Sequence, residues 1–122
     1  NIVVPLQIFK HHKSEFLKFK NKNLKHLVDP IEGAKKSNCI MTDVWVSMGE
    51  KNNKIKYFKN FTVNKKIMSI ASNNAIFMHC LPAKRGKEVT SDVLDGKNSV
   101  VLQQAKNRMY IQQAILLYVL KK

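Results

Sequence analysis

Acidic side chains are scarce in this chain: 8 Asp and Glu stand against 22 Lys and Arg in 122 residues, a formal charge of +14. Arginine is scarcer still, since only Arg85 and Arg108 are present and the other 20 cations are lysine. Readers of bases and phosphates lean on the planar, bidentate guanidinium, so this shortage argues against a nucleic-acid groove. The lysines are spread in pairs such as Lys35-Lys36, Lys65-Lys66 and Lys121-Lys122 without a dense block, as on a solvated surface. The 12 asparagines beside them suggest adenine-rich codons and a base-composition bias of the genome. Cysteine is limited to Cys39 and Cys80, with no CxxC or Cys/His spacing suited to zinc or a redox pair. A reduced, cytoplasmic chain is the simple reading. No signal peptide is expected from these residues, and no apolar run comes near the ~18 residues of a membrane span. The nearest approach, residues 111–120, is short and contains Gln112 and Gln113.

What is present suits a globular domain. The length is that of one domain and would bury roughly two-thirds of its unfolded surface. Five short apolar or β-branched runs recur: Ile2–Val4, His26–Val28, Ile40–Val46, Ala75–His79 and Ser99–Leu102. Near-continuous apolar runs of this kind suit strands covered on both faces, as in a parallel sheet. Helical patterns lie between them. Ser14 is a candidate cap for a helix carrying Phe16, Leu17 and Phe19. Asp29-Pro30-Ile31-Glu32 combines a capping carboxylate, proline at the first helical position and Glu three residues after the cap. Residues 63–71 carry Val63, Ile67, Met68 and Ile70 at helical spacing, Thr90 can cap a short turn ending at Gly96, and Asn107 opens a last helix. The alternation is that of an α/β domain with a doubly wound, mostly parallel sheet flanked by helices. The opening Asn1-Ile2-Val3-Val4-Pro5 reads as the inside of a sheet and suggests a chain cut from something longer. The last helix is apolar around nearly its whole circumference, which calls for burial on all sides. The division expected is 1–106 as the α/β domain and 107–122 as a helix packed on a second domain.

The richest segment is Met78-His79-Cys80-Leu81-Pro82-Ala83-Lys84-Arg85-Gly86, where an apolar strand empties into a loop bearing an imidazole, a thiol, a proline, two cations and a glycine. Ligands of open α/β sheets bind at the carboxyl ends of strands. A second strand-end block, Asp43-Val44-Trp45-Val46-Ser47-Met48-Gly49-Glu50, lies upstream, and Asn107-Arg108 lies downstream. Singly, each residue has a plain structural reading: Asp43 as a turn residue, Cys80 as a small buried hydrophobe, Arg108 as a solvated helix-start cation. His79 reads equally as a structural histidine, while His11, His12 and His26 read as solvated. Trp45 is assigned to the core and Arg85 to an ion pair with a nearby carboxylate.

Taken together and in this order, the three blocks resemble the ornithine carbamoyltransferases, most strongly from Asp29 to Arg108. The resemblance implies a Rossmann-like amino-acid-binding domain lacking its first strand, with a carbamoyl-phosphate domain elsewhere, in a homotrimer. It implies transfer of the carbamoyl group of carbamoyl phosphate to the δ-amine of L-ornithine, giving citrulline and phosphate in arginine biosynthesis. Asp43 would take the α-ammonium of ornithine as a charge-assisted hydrogen bond. Ser47 and Met48 would meet the amino-acid end, with Gly49 letting the loop approach closely. Cys80 and the Leu81 carbonyl would accept from the δ-amine and orient its lone pair, and would also face carbamoyl phosphate. Arg108 would stabilise charge growing on the carbamoyl oxygen. No metal or organic cofactor is implied. Pro82 is expected after a cis peptide. Relatives usually carry His where this chain has Lys84, an acid in place of Lys106 and often His in place of Tyr110. The rival readings are a transcarbamylase for another amine or amino acid, and a basic nucleic-acid-binding module without catalysis. This chain alone is expected to be inactive.

Overall fold

The computed structural model describes all residues except Lys20, Met48, Glu50, Lys51 and Lys122, with the main chain alone of Asn52. The elements run β1 (Ile2–Val3), α1 (Leu6–His11), α2 (Lys13–Phe19), β2 (His26–Leu27), α3 (Pro30–Ala34), β3 (Cys39–Thr42), a 3-10 segment (Asn52–Phe58), α4 (Lys65–Ile70), β4 (Ile76–His79), α5 (Ser91–Leu94) and α6 (Val101–Leu120). Strands are parallel and alternate with helices, as the apolar runs require, so the α/β class holds. The sheet comes in two pieces: β1 pairs with β2, and β3 pairs with β4 in the register Cys39↔Ile76 to Thr42↔His79.

Between the two pairs lies a cleft of about 550 Å³, lined by β1, by β3 and by Gly33 and Ala34 of α3. The Ile76 amide donates to the Asn38 carbonyl, and strand backbone alternates, so Cys39 and Met41 direct their peptide groups away from β4. Helix α3 reaches β1 only because residue 33 is glycine. A Cβ there would sit 2.2 Å from Cγ2 of Val3.

The core lies beneath β4. Phe77 is wholly buried and packs with Val63, Ile67, Val89, Val93, Leu94 and Val101. Local chemistry sets several boundaries. Asp29 accepts the Ile31 amide at 2.9 Å with Pro30 following it, as the capping pattern requires. Asn64 does the same for the Ile67 amide at 3.0 Å and starts α4. Three expectations need correction. Strand β3 stops at Thr42, not Val46, because the Asp43 carboxylate folds back on the Val44 amide at 2.7 Å and ends the ladder. The run from Ser99 forms one parallel bridge to Phe77, and α6 then begins at Val101, without any capping side chain to announce it. The first helix begins at Leu6 after Pro5, so Ser14 is interior to α2 and not a cap.

His26 is likewise not solvated: its ring stacks on Phe9 at 3.6 Å and donates to the Val4 carbonyl. Trp45 is half-buried and stacks on Phe58, at the cleft and outside the main core. Among the described residues no helix is long and apolar enough to cross a membrane.

Candidate functional site

The site follows from strand register. Thr42 and His79 are partners at the carboxyl ends of adjacent parallel strands, so the next residues, Asp43 and Cys80, emerge side by side. The Cys80 thiol donates to Oδ1 of Asp43 at 3.0 Å. Helix α6 supplies the third group. Oε1 of Gln104 accepts the His79 amide at 3.0 Å, which ties the helix to the end of β4. Arg108, four residues further and so on the same helix face, places Nη1 3.4 Å from the Cys80 carbonyl. Strand ends and one helix turn thus bring Asp43, Cys80 and Arg108 together, three residues scattered through the chain.

Their electrostatics are coupled. The thiol's hydrogen bond holds the Asp43 carboxyl below the usual carboxylate range, against its desolvation and with help from the Val44 amide. The same bond pushes the Cys80 thiol above its ordinary value, with burial and the Asp43 charge adding to it and Arg108 opposing. Cys80 is therefore held as a thiol, which suits hydrogen bonding rather than nucleophilic attack. Asp43 and Arg108 are exposed, with donor and acceptor capacity facing solvent.

The loop after Cys80 is firmly built. Leu81 has φ +56°, a left-handed conformation unusual for a branched residue, and the Leu81–Pro82 peptide is cis, as expected. Arg85 grips Asp95 through both terminal nitrogens, the expected ion pair. Asp43, His79 and Cys80 offer three possible metal ligands within 4.8 Å of one another. However, Nδ1 of His79 accepts the Leu81 amide at 2.8 Å, Nε2 faces Glu88 at 3.5 Å, and the thiol is bonded to Asp43. Nδ1 of His79 and the thiol are thus committed to hydrogen bonds within the loop, and Nε2 lies against a buried carboxylate.

Of the other residues read from the sequence, Ser47 is exposed in the loop after Asp43, and Met48 lies outside the described residues. Lys84 is exposed beside the site loop. Sequence reasoning missed Gln104 and Glu88. Gln104 had no signal, since the stretch before it reads as a strand. Glu88 had one: it is the lone acid from Lys84 to Thr90, among Lys84, Arg85 and Lys87.

The pattern of the aspartate/ornithine carbamoyltransferase Asp/Orn-binding domain matches residues 2–119. The ornithine carbamoyltransferase of Hyperthermus butylicus is 50% identical over 95 residues, 75% of this chain and 30% of that protein. The solved structure of the Pyrococcus furiosus ornithine carbamoyltransferase superposes with a TM-score of 0.70 at 47% identity, over 75% of this chain and 30% of that one. The anabolic enzyme of Campylobacter jejuni superposes with a TM-score of 0.77 at 34% identity, over 99% of this chain and 43% of that one. This chain thus spans about a third of the length of the curated relatives it matches.

Proposed function

This chain belongs to the aspartate/ornithine carbamoyltransferase family as an Asp/Orn-binding domain, and on that premise we propose that it supplies the ornithine-binding third of an ornithine carbamoyltransferase. The observation that carries the proposal is the convergence of Asp43, Cys80 and Arg108 at the carboxyl ends of β3 and β4. In this reading Asp43 takes the α-ammonium of L-ornithine, with Ser47 and Met48 at the same end of the substrate. The Cys80 sulfur and the Leu81 carbonyl accept from the δ-amine, whose lone pair attacks the carbonyl carbon of carbamoyl phosphate. The C–O bond to phosphate then breaks, phosphate leaves with the electron pair, and the amine loses its proton. Arg108 stabilises the carbamoyl oxygen as charge grows there. A thiol kept protonated supports direct transfer without a carbamoyl-cysteine.

The division at about residue 106 is proposed on two further observations. A strand from the rest of the protein, laid parallel between β1 and β3, would fill the cleft and join the two pairs into one sheet. The outer half of α6 is apolar and exposed, a surface fit for the carbamoyl-phosphate domain. A homotrimer and a reducing, cytoplasmic setting belong to the same reading. The two free cysteines suit that setting.

The test is an assay of the natural-length protein with carbamoyl phosphate and L-ornithine. Citrulline and phosphate should form in equal amounts, and the 122-residue chain alone should form neither. Turnover with another amine in place of ornithine would move the assignment to the rival transcarbamylase. Steady citrulline formation by the isolated chain would contradict the proposed division of labour.

A further inference from the structure

We propose that Glu88 is a positioning residue for this site, fixing through His79 and the Lys84 amide the backbone that carries Cys80 and Leu81. The inference rests on the ornithine reading only for its consequence in catalysis. Its geometry stands on the loop itself.

Glu88 and His79 are each 1% exposed, directly beneath the loop from Cys80 to Lys84. The Leu81 amide can only donate, so Nδ1 of His79 must be the accepting nitrogen and the ring hydrogen sits on Nε2. Oε1 of Glu88 lies 3.5 Å from that nitrogen. The same carboxylate oxygen accepts the Lys84 amide. One buried carboxylate therefore reaches both ends of the loop: Lys84 directly, and Leu81 through the imidazole.

The carboxylate is itself well anchored. The Glu88 carbonyl accepts the Val63 amide at 2.9 Å, and the adjoining Val89 is wholly buried in a parallel bridge with Val63. What the arrangement holds is also unusual. Leu81 keeps a left-handed φ of +56°, which a branched residue sustains only when its surroundings dictate it. Its amide is bonded to His79. Oε2 of Glu88 and Nε2 of His79 have no hydrogen-bond partner among the described residues, so Nε2 and the carboxylate meet as a close polar contact at 3.5 Å. A buried polar pair with spare capacity is poorly explained by stability, since an apolar pair of similar volume generally does as well or better. Beneath a loop that presents a thiol and a carbonyl, the pair is explained by aim.

The test uses the natural-length protein and compares Glu88→Ala, Glu88→Gln and Glu88→Asp with wild type. Two readouts are taken: citrulline kinetics, and amide hydrogen exchange at Leu81 and Lys84 with Phe77 as the core reference. In Glu88→Ala, kcat should fall about 100-fold while KM for ornithine moves less than about threefold, the signature of misplacement. Exchange at Leu81 and Lys84 should quicken while Phe77 stays protected. Glu88→Gln, whose amide oxygen can still accept the Lys84 amide and lie beside Nε2, should keep kcat within about tenfold of wild type. If Glu88→Ala does not fold, Glu88→Asp carries the test, because its shorter arm should lower kcat about tenfold and loosen the same two amides.

Unchanged kcat and unchanged loop exchange in a folded variant would overturn the proposal. So would equal loss of protection at Phe77 with no rescue by Gln, the mark of a purely structural pair. Absence of citrulline formation by the wild-type protein would sink the ornithine reading instead, and the exchange measurements would still decide the clamp.

Discussion

The two halves of α6 live in opposite surroundings. Near its start, Val101 is buried in the core, Gln104 takes the His79 amide, and Arg108 meets the Cys80 carbonyl. Beyond that turn the helix carries Ile111, Ile115, Leu116, Leu117, Tyr118, Val119 and Leu120, all exposed, with Tyr118 reaching 82%. Burial of a large apolar side chain is worth about 1.5–3 kcal/mol, so such a row left in water is a surface made to be covered. The first half is tied to the carboxyl end of β4 by contacts made within this chain. The second half contributes nothing to the core here, and is where the remainder of the protein is proposed to pack.

Substitution tests that contrast in its strongest form. Phe77→Ala, beneath the site, should destabilise the protein by about 3–5 kcal/mol in urea unfolding, because a wholly buried ring leaves a cavity. Leu117→Ala in the isolated chain should change stability by no more than about 0.5 kcal/mol. In the natural-length protein the same Leu117→Ala should cost on the order of 2 kcal/mol if another domain covers it. An equal, small effect in both settings would break the comparison.

A smaller effect is expected at the thiol. The folded-state value of Cys80 is raised and that of Asp43 is lowered by one shared hydrogen bond. The contribution of the raised thiol is present below its unfolded value of about 8.5 and lost as pH rises through the folded one. The contribution of the lowered carboxylate is present above about 3.9 and lost as pH falls through its folded value. Iodoacetamide should therefore label Cys80 more slowly than the exposed Cys39 near pH 8.5, and Asp43→Asn should quicken labelling at Cys80 alone. Identical rates at Cys80 in both proteins would show that the carboxylate does not hold the thiol. The smallest effect belongs to Arg85→Ala. Its pair with Asp95 is solvent-exposed, and the thermal melt should be indistinguishable from wild type.

Much of this was legible in the residues. The parallel α/β class followed from apolar runs alternating with helical spacing, and the Asp29-Pro30 start of α3 from its capping chemistry. Asp43, Cys80 and Arg108 were legible as strand-end and helix residues with suitable chemistry, and the register of β3 on β4 explains why they meet. The end of β3 was not legible, because a β-branched and aromatic run says nothing of a carboxylate turning back on the next amide. The start of α6 was hidden for the opposite reason: Val100 and Val101 look like a strand, and no capping side chain marks the turn into helix. Glu88 stands out in the sequence as a lone acid among cations, but its pairing with His79 was not legible, because the two lie nine residues apart on either side of a loop whose path only tertiary packing sets.

The central claim is that Asp43, Cys80 and Arg108 form an ornithine site. It is tested most directly by calorimetric titration of the natural-length protein with L-ornithine, with and without carbamoyl phosphate, in wild type and Asp43→Ala. Binding should tighten when carbamoyl phosphate is present, and should weaken about tenfold to a hundredfold in Asp43→Ala, the loss of one charged hydrogen bond. Ornithine binding of equal strength in both proteins, or none in either under both conditions, would contradict the assignment.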